Sequence, residues 1–99
     1  MTNQYDIQIH SPMGWIKAIA TLTTEGGTLS GEAKLLGQTV VLTDCAQDGS
    51  HYHFTAAPKL PFGVLAVTID ADISADGTVT GVANAPHHKP MELKGQRTA

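Results

Sequence analysis

Residues 60–83 read LPFGVLAVTIDADISADGTVTGVA. Leu65, Val67, Ile69, Ala71 and Ile73 alternate with Ala66, Thr68, Asp70, Asp72 and Ser74. A period of two sends successive side chains to opposite faces, so the stretch predicts a strand with one apolar face. Asp76-Gly77 follows as a hairpin turn, because glycine accepts the positive φ that tight turns need. Residues 11–33, SPMGWIKAIATLTTEGGTLSGEA, repeat the same text. Pro12-Met13-Gly14 matches Pro61-Phe62-Gly63, and Gly27-Thr28-Leu29-Ser30-Gly31 matches Gly77-Thr78-Val79-Thr80-Gly81. The offset is 49 residues at the first anchor and 50 at the second, so the halves, about 1–49 and 50–99, differ by small loop or bulge changes.

Working outward, Tyr5, Ile7 and Ile9 alternate with Asp6, Gln8 and His10, and Tyr52 and Phe54 with His51 and His53. Eight strands are expected, at about 4–10, 14–23, 27–35, 38–44, 51–57, 63–74, 77–84 and 91–97. No segment carries sustained helical spacing with a cap. Closing two four-stranded halves removes the sheet edges that invite aggregation. The predicted fold is therefore all-β: an eight-stranded antiparallel up-and-down β-barrel built from two similar halves, in one domain over 1–99. A β-sandwich is the alternative. A barrel of this size is filled by side chains or holds one small ligand.

Several of these turns and strand starts form a wider pattern. Pro12-Met13-Gly14, Leu22-Thr23, Gly26-Gly27-Thr28-Leu29-Ser30-Gly31, Asp48-Gly49 before an aromatic strand, and Gly95-Gln96-Arg97 resemble a group of small bacterial proteins of calycin-like or streptavidin-like barrel type. Their pattern runs TPMG, GTLTL, GG-LSG, DG-F-F and a terminal F-G-T-R. The resemblance covers most of the chain and implies a barrel. It carries no activity and no functional residue to this sequence, which departs from the pattern at Trp15-Ile16-Lys17 and in its histidines.

The composition narrows the function classes. Hydrophobic residues are 41% and charged residues 15%, too apolar for a disordered chain. With a formal charge of −3 and no basic run, nucleic acid and anionic membranes are not expected partners. One cysteine, Cys45, excludes an internal disulfide. The N-terminal residues show neither a basic nor an apolar signal region, and Leu60–Val67 is too short and too interrupted to span a bilayer. A cytoplasmic location is the expectation.

The histidine pair in His51-Tyr52-His53-Phe54 has metal-ligand spacing, and the spacing is similar to that of the cupins. The acid that should follow is missing from Thr55-Ala56-Ala57-Pro58-Lys59. If the strands at 51–57 and 63–74 form a hairpin, His51 opposes Asp70 and His53 opposes Thr68 on the outer face. Ordinary cross-strand pairing then accounts for them. No metal and no cofactor are expected. A metal site would need His51, His53 and a third ligand from His10, His87 or His88.

By phase, the inward polar residues are Tyr5, Tyr52, Asp44 (with Val40 and Leu42) and Arg97 (with Met91, Leu93 and Gly95). An Asp44–Arg97 pair at a barrel rim is the structural reading. The functional reading places Tyr5, Tyr52, Phe54, Trp15 and Arg97 around a ligand, with Tyr5, Tyr52 and Asp44 as proton-transfer groups. Outward, Trp15, Ile19, Val41, Val64, Ala66 and Val82 make an apolar surface that predicts a homo-oligomer, with a dimer first. Three functions compete. The first is a binding barrel for a small apolar or aromatic molecule. The second is a cofactor-independent isomerase or lyase. The third is an accessory oligomerising subunit with a filled interior.

Overall fold

The computed structural model describes residues 1–11, 14–60, 63–86 and 88–98. Pro12, Met13, Pro61, Phe62 and His87, which the sequence reading uses, lie outside the described residues. Ten strands follow in order: β1 (Thr2–Ser11), β2 (Gly14–Glu25), β3 (Thr28–Leu35), β4 (Gln38–Asp48), β5 (His51–Ala56), β6 (Lys59–Leu60), β7 (Gly63–Val64), β8 (Val67–Ile73), β9 (Thr78–Asn84) and β10 (Met91–Arg97). Eight of them close into an up-and-down antiparallel barrel, β1-β2-β3-β4-β5-β8-β9-β10, with β10 returning to β1. No helix occurs among the described residues.

The two halves are visible in the pairing register. Tyr5 opposes Ala20, and Phe54 opposes Ile69, each 49 residues on. Ala20 opposes Ala33, and Ile69 opposes Ala83. Gly31 opposes Leu42, and Gly81 opposes Leu93. The offset thus stays at 49 across the first connection and grows by one residue at each of the next two, to 51. Rotating the barrel by four strands carries β1–β4 onto β5, β8, β9 and β10. The fold has an approximate two-fold axis along the barrel.

The inward phase builds the core. Tyr5, Ile7, Ala18, Leu22, Val40, Leu42, Phe54, Ala71, Val79, Ala83, Met91 and Leu93 are all buried. The outer face carries charge and hydroxyls, the reverse of a barrel that faces lipid. Separately, no helix of the structure is long and apolar enough to cross a membrane. Glycines let neighbouring strands approach closely in the wall. A Cβ on Gly81 would meet the Asp70 carbonyl oxygen and lie 2.7 Å from Ala71 Cα.

Three expectations from the sequence are corrected. First, the strand expected over 63–74 is two elements. Gly63–Val64 pairs with β6 as a small hairpin outside the barrel, and β8 begins only at Val67. The Gln38 side chain holds this hairpin, accepting from the Lys59 backbone N–H at 3.0 Å and donating to the Lys59 carbonyl. Second, the longer connection slides the register by two residues. His51 opposes Asp72 and His53 opposes Asp70, where Asp70 and Thr68 were expected. A slide of two keeps every side chain on its expected face. Third, Asp44 is exposed and not inward. Thr43 opposes Thr55 and Ala46 opposes His53, so Asp44 and Cys45 together face one residue of β5. This bulge, with Asp44 at φ +49°, breaks the alternation and turns Cys45 toward the interior in its place.

The β3–β4 turn, Leu36-Gly37, is strained for a different reason. Leu36 sits at φ +51°, a region that side chains other than Asn, Asp and Gly enter at a cost. Leu36 is also 52% exposed, so packing returns little. Leu36→Asn is expected to raise stability by about 1 kcal/mol, read as a higher urea midpoint at unchanged slope. A lower midpoint would mean that the leucine side chain holds the turn.

Candidate functional site

One end of the barrel gathers most of the inward polar residues that the sequence singles out. β1 starts there, β10 ends there, and Tyr5 opposes Arg97 across them. Tyr5 is only 4% exposed. No buried side-chain nitrogen or oxygen among the described residues lacks a hydrogen bond. Among the described residues the Tyr5 hydroxyl has no hydrogen-bond partner, so its oxygen is not sealed from solvent. Burial pushes the Tyr5 phenol up, the neighbouring Tyr52 adds to this, and Arg97 opposes it. The phenol therefore stays protonated near neutral pH and acts as a hydrogen-bond donor. Tyr52 is half-buried and stacks on Phe54, with ring centroids 6.2 Å apart. The Arg97 side chain packs over Gly77 of the β8–β9 turn and stays at the rim.

Below this mouth lies an interior cavity of about 70 Å3 with an entirely apolar lining. Tyr5 and Phe54 form part of its wall, with Leu22, Leu42, Val79 and Leu93. The volume is about half of the roughly 150 Å3 that admits benzene. Pairs of small inward residues, such as Ala20 opposite Ala33, leave the space.

Two residues expected near the ligand lie elsewhere. Asp44 is on the outside of the bulge, and β4 is across the barrel from β10, so the expected Asp44–Arg97 pair does not form. The ion pairs among the described residues all join histidine to aspartate. Trp15 opposes His10 near the other end of the barrel, on the outer face, away from Tyr5 and Tyr52. Its ring stacks on His10 at 4.6 Å and lies under Lys94 Nζ at 4.7 Å, a cation–π contact. The phase of Trp15 was legible; its partners depend on register.

Comparison with protein-family models, curated proteins and solved structures returns no match.

The histidine pair does face outward, in a cluster with two aspartates. Asp70 Oδ1 lies 2.9 Å from His53 Nδ1 and 3.3 Å from His51 Nε2. Asp72 Oδ1 lies 3.3 Å from His51 Nδ1. His10 is on β1, four strands away around the barrel, and does not join them. Among the described residues no group of three or more His, Cys, Asp or Glu side chains is arranged to hold a metal ion. Asp72 was missed as a partner of His51 because the register was set two residues short.

The cluster sets a pH window. Hydrogen bonds that the His51 imidazole donates to Asp70 and Asp72 raise it above its ordinary 6.5. The bond to His53, with the weaker one to His51, lowers Asp70 below 3.8. Asp76 is lowered to about 2 by the Ser74 hydroxyl and the Thr78 backbone N–H, which close the β8–β9 turn. The aspartate contributions are complete above pH 4 and fade as pH falls toward 2. The His51 contribution is complete below pH 6.5 and is lost as pH rises through its raised value. Stability is expected to peak between about pH 4 and 6.5, modestly, because these groups are exposed. His51→Gln should flatten the alkaline limb of a urea-midpoint profile. An unchanged limb would remove His51 as its cause.

Proposed function

We propose that the protein is a small-molecule-binding barrel whose interior takes a compact apolar ligand through the Tyr5–Tyr52 mouth. The observation that carries this reading is the apolar cavity of about 70 Å3 with Tyr5 in its wall. Ligand sites combine an apolar wall with a few convergent polar groups. Here the Tyr5 hydroxyl donates a hydrogen bond, and Arg97 at the rim meets a polar or anionic end. The enzyme alternative is supported less. Of its three groups Asp44 stands outside, and the phenol of Tyr5 favours a donor over a base. The apolar outer residues Val41, Val64 and Val82 support association of two copies, which sedimentation velocity tests directly.

A series of straight-chain alcohols tests the binding reading. The readout is saturable shifts of the Val79 and Leu93 methyl resonances. Affinity is expected to rise about fourfold per methylene, the worth of one buried CH2. The rise should stop near two carbons, where a cavity half the size that admits benzene is full. A series that climbs without a break, or one that leaves these methyls unmoved, would overturn the reading.

A further inference from the structure

The two-fold axis relates more than strands. An open groove of about 700 Å3 lies over β1, β2, β3 and the β3–β4 turn. A second groove, of about 300 Å3, lies over β5, β8, β9 and the residues that follow β9. The two correspond residue by residue under the offsets that the pairing register sets. Lys17 of the first groove occupies the place of Ala66 in the second, Lys34 that of Asn84, and Asp6 that of Thr55. Ile19 stands where the second groove has Thr68, and Leu36 where it has Pro86. The fold therefore makes this concavity twice, and only the first copy is lined with charge and with larger apolar side chains. Its volume lies in the range of small-molecule sites.

Three local features set the first groove apart from ordinary surface. Lys17 and Lys34 are diagonal neighbours across the β2–β3 ladder, on one face. Neither forms an ion pair with Asp6, since the described ion pairs all lie in the histidine–aspartate cluster on the other side of the barrel. Leu36 takes a left-handed backbone conformation with half its surface exposed, which costs stability and returns little packing. Beside it Ile19 is exposed as well. Two ammonium groups with no ion-pair partner among the described residues thus border an exposed apolar strip.

We propose that this groove binds a small amphipathic anion, with its charged group between Lys17 and Lys34 and its apolar body along Ile19 and Leu36. Asp6, on the far side of Ile19 from Lys34, opposes an anion and limits the affinity. The site is separate from the interior cavity and does not depend on it.

Octanoate is the probe, followed by backbone amide shifts of the whole chain. Saturable shifts are expected at Lys17–Ile19 and Lys34–Thr39. Octanol, of equal length without charge, should bind at least tenfold more weakly. Lys17→Gln with Lys34→Gln should lower octanoate affinity at least tenfold at an unchanged thermal midpoint, and Asp6→Asn should raise it about threefold. Equal binding of octanol and octanoate would overturn the proposal, as would equal shifts in the Thr55–Asn84 groove. Shifts confined to Val79, Leu93 and the Tyr5 mouth would also overturn it, while leaving the interior reading intact.

Discussion

Gly81→Ala is expected to cost about 3 kcal/mol, the upper end of overpacking effects. The added Cβ would meet the Asp70 carbonyl oxygen, with Ala71 Cα at 2.7 Å and its Cβ at 3.0 Å. Backbone of a paired strand cannot step aside without breaking the ladder. Gly31, the two-fold counterpart of Gly81, should respond far less. Its nearest neighbours are Leu22 Cδ2 at 2.7 Å and Leu42 Cδ1 at 3.1 Å, both ends of side chains, with the Thr21 carbonyl at 3.0 Å. Gly31→Ala is expected to cost about 1 kcal/mol, the lower end of the same range. The difference arises because β2 carries Leu22 where β8 carries Ala71. Urea denaturation of the two variants measures it, and equal losses would mean that both sites relax alike.

Phe54→Ala has the other large expected effect. Phe54 is buried, stacks against Tyr52 and forms part of the cavity wall. Its removal should cost about 3–5 kcal/mol. That is a large share of the 5–15 kcal/mol that holds a typical domain. The cavity left behind should approach the size that admits benzene, so benzene should stabilise the variant and leave the wild type unchanged. A variant that loses stability and gains no response to benzene would show that the barrel wall collapses onto the space.

Most of the architecture was legible because its causes are local. The alternation from Leu65 to Ile73, the turns at Gly26-Gly27 and Asp76-Gly77, and the repeated GT[LV][ST]G text define strands, faces and a two-fold plan. What escaped depends on single inserted residues or on distant partners. Nothing in Thr43-Asp44-Cys45-Ala46 announces a bulge, since Asp also sits comfortably in a plain strand end. The two-residue strands at Lys59–Leu60 and Gly63–Val64 are too short for a period to register. Their presence lengthened the connection and moved Asp72 opposite His51.

The candidate site was legible in the same proportion. Tyr5, Tyr52 and Arg97 were placed by phase, and the barrel brings them to one mouth. Asp44 and Trp15 were placed by extrapolation across a bulge and across an end, and both lie outside it. The groove around Lys17, Lys34 and Leu36 needed the pairing register, because its residues come from separate strands and one turn.

The most direct test of the interior site is methyl-resolved NMR of the wild type under xenon, an atom small enough for the cavity and blind to charge. Selective, saturable shifts at Leu22, Leu42, Val79 and Leu93 are expected, with the outer Val41, Val64 and Val82 unmoved. Uniform small shifts across inner and outer methyls would contradict the account and mark the barrel as filled.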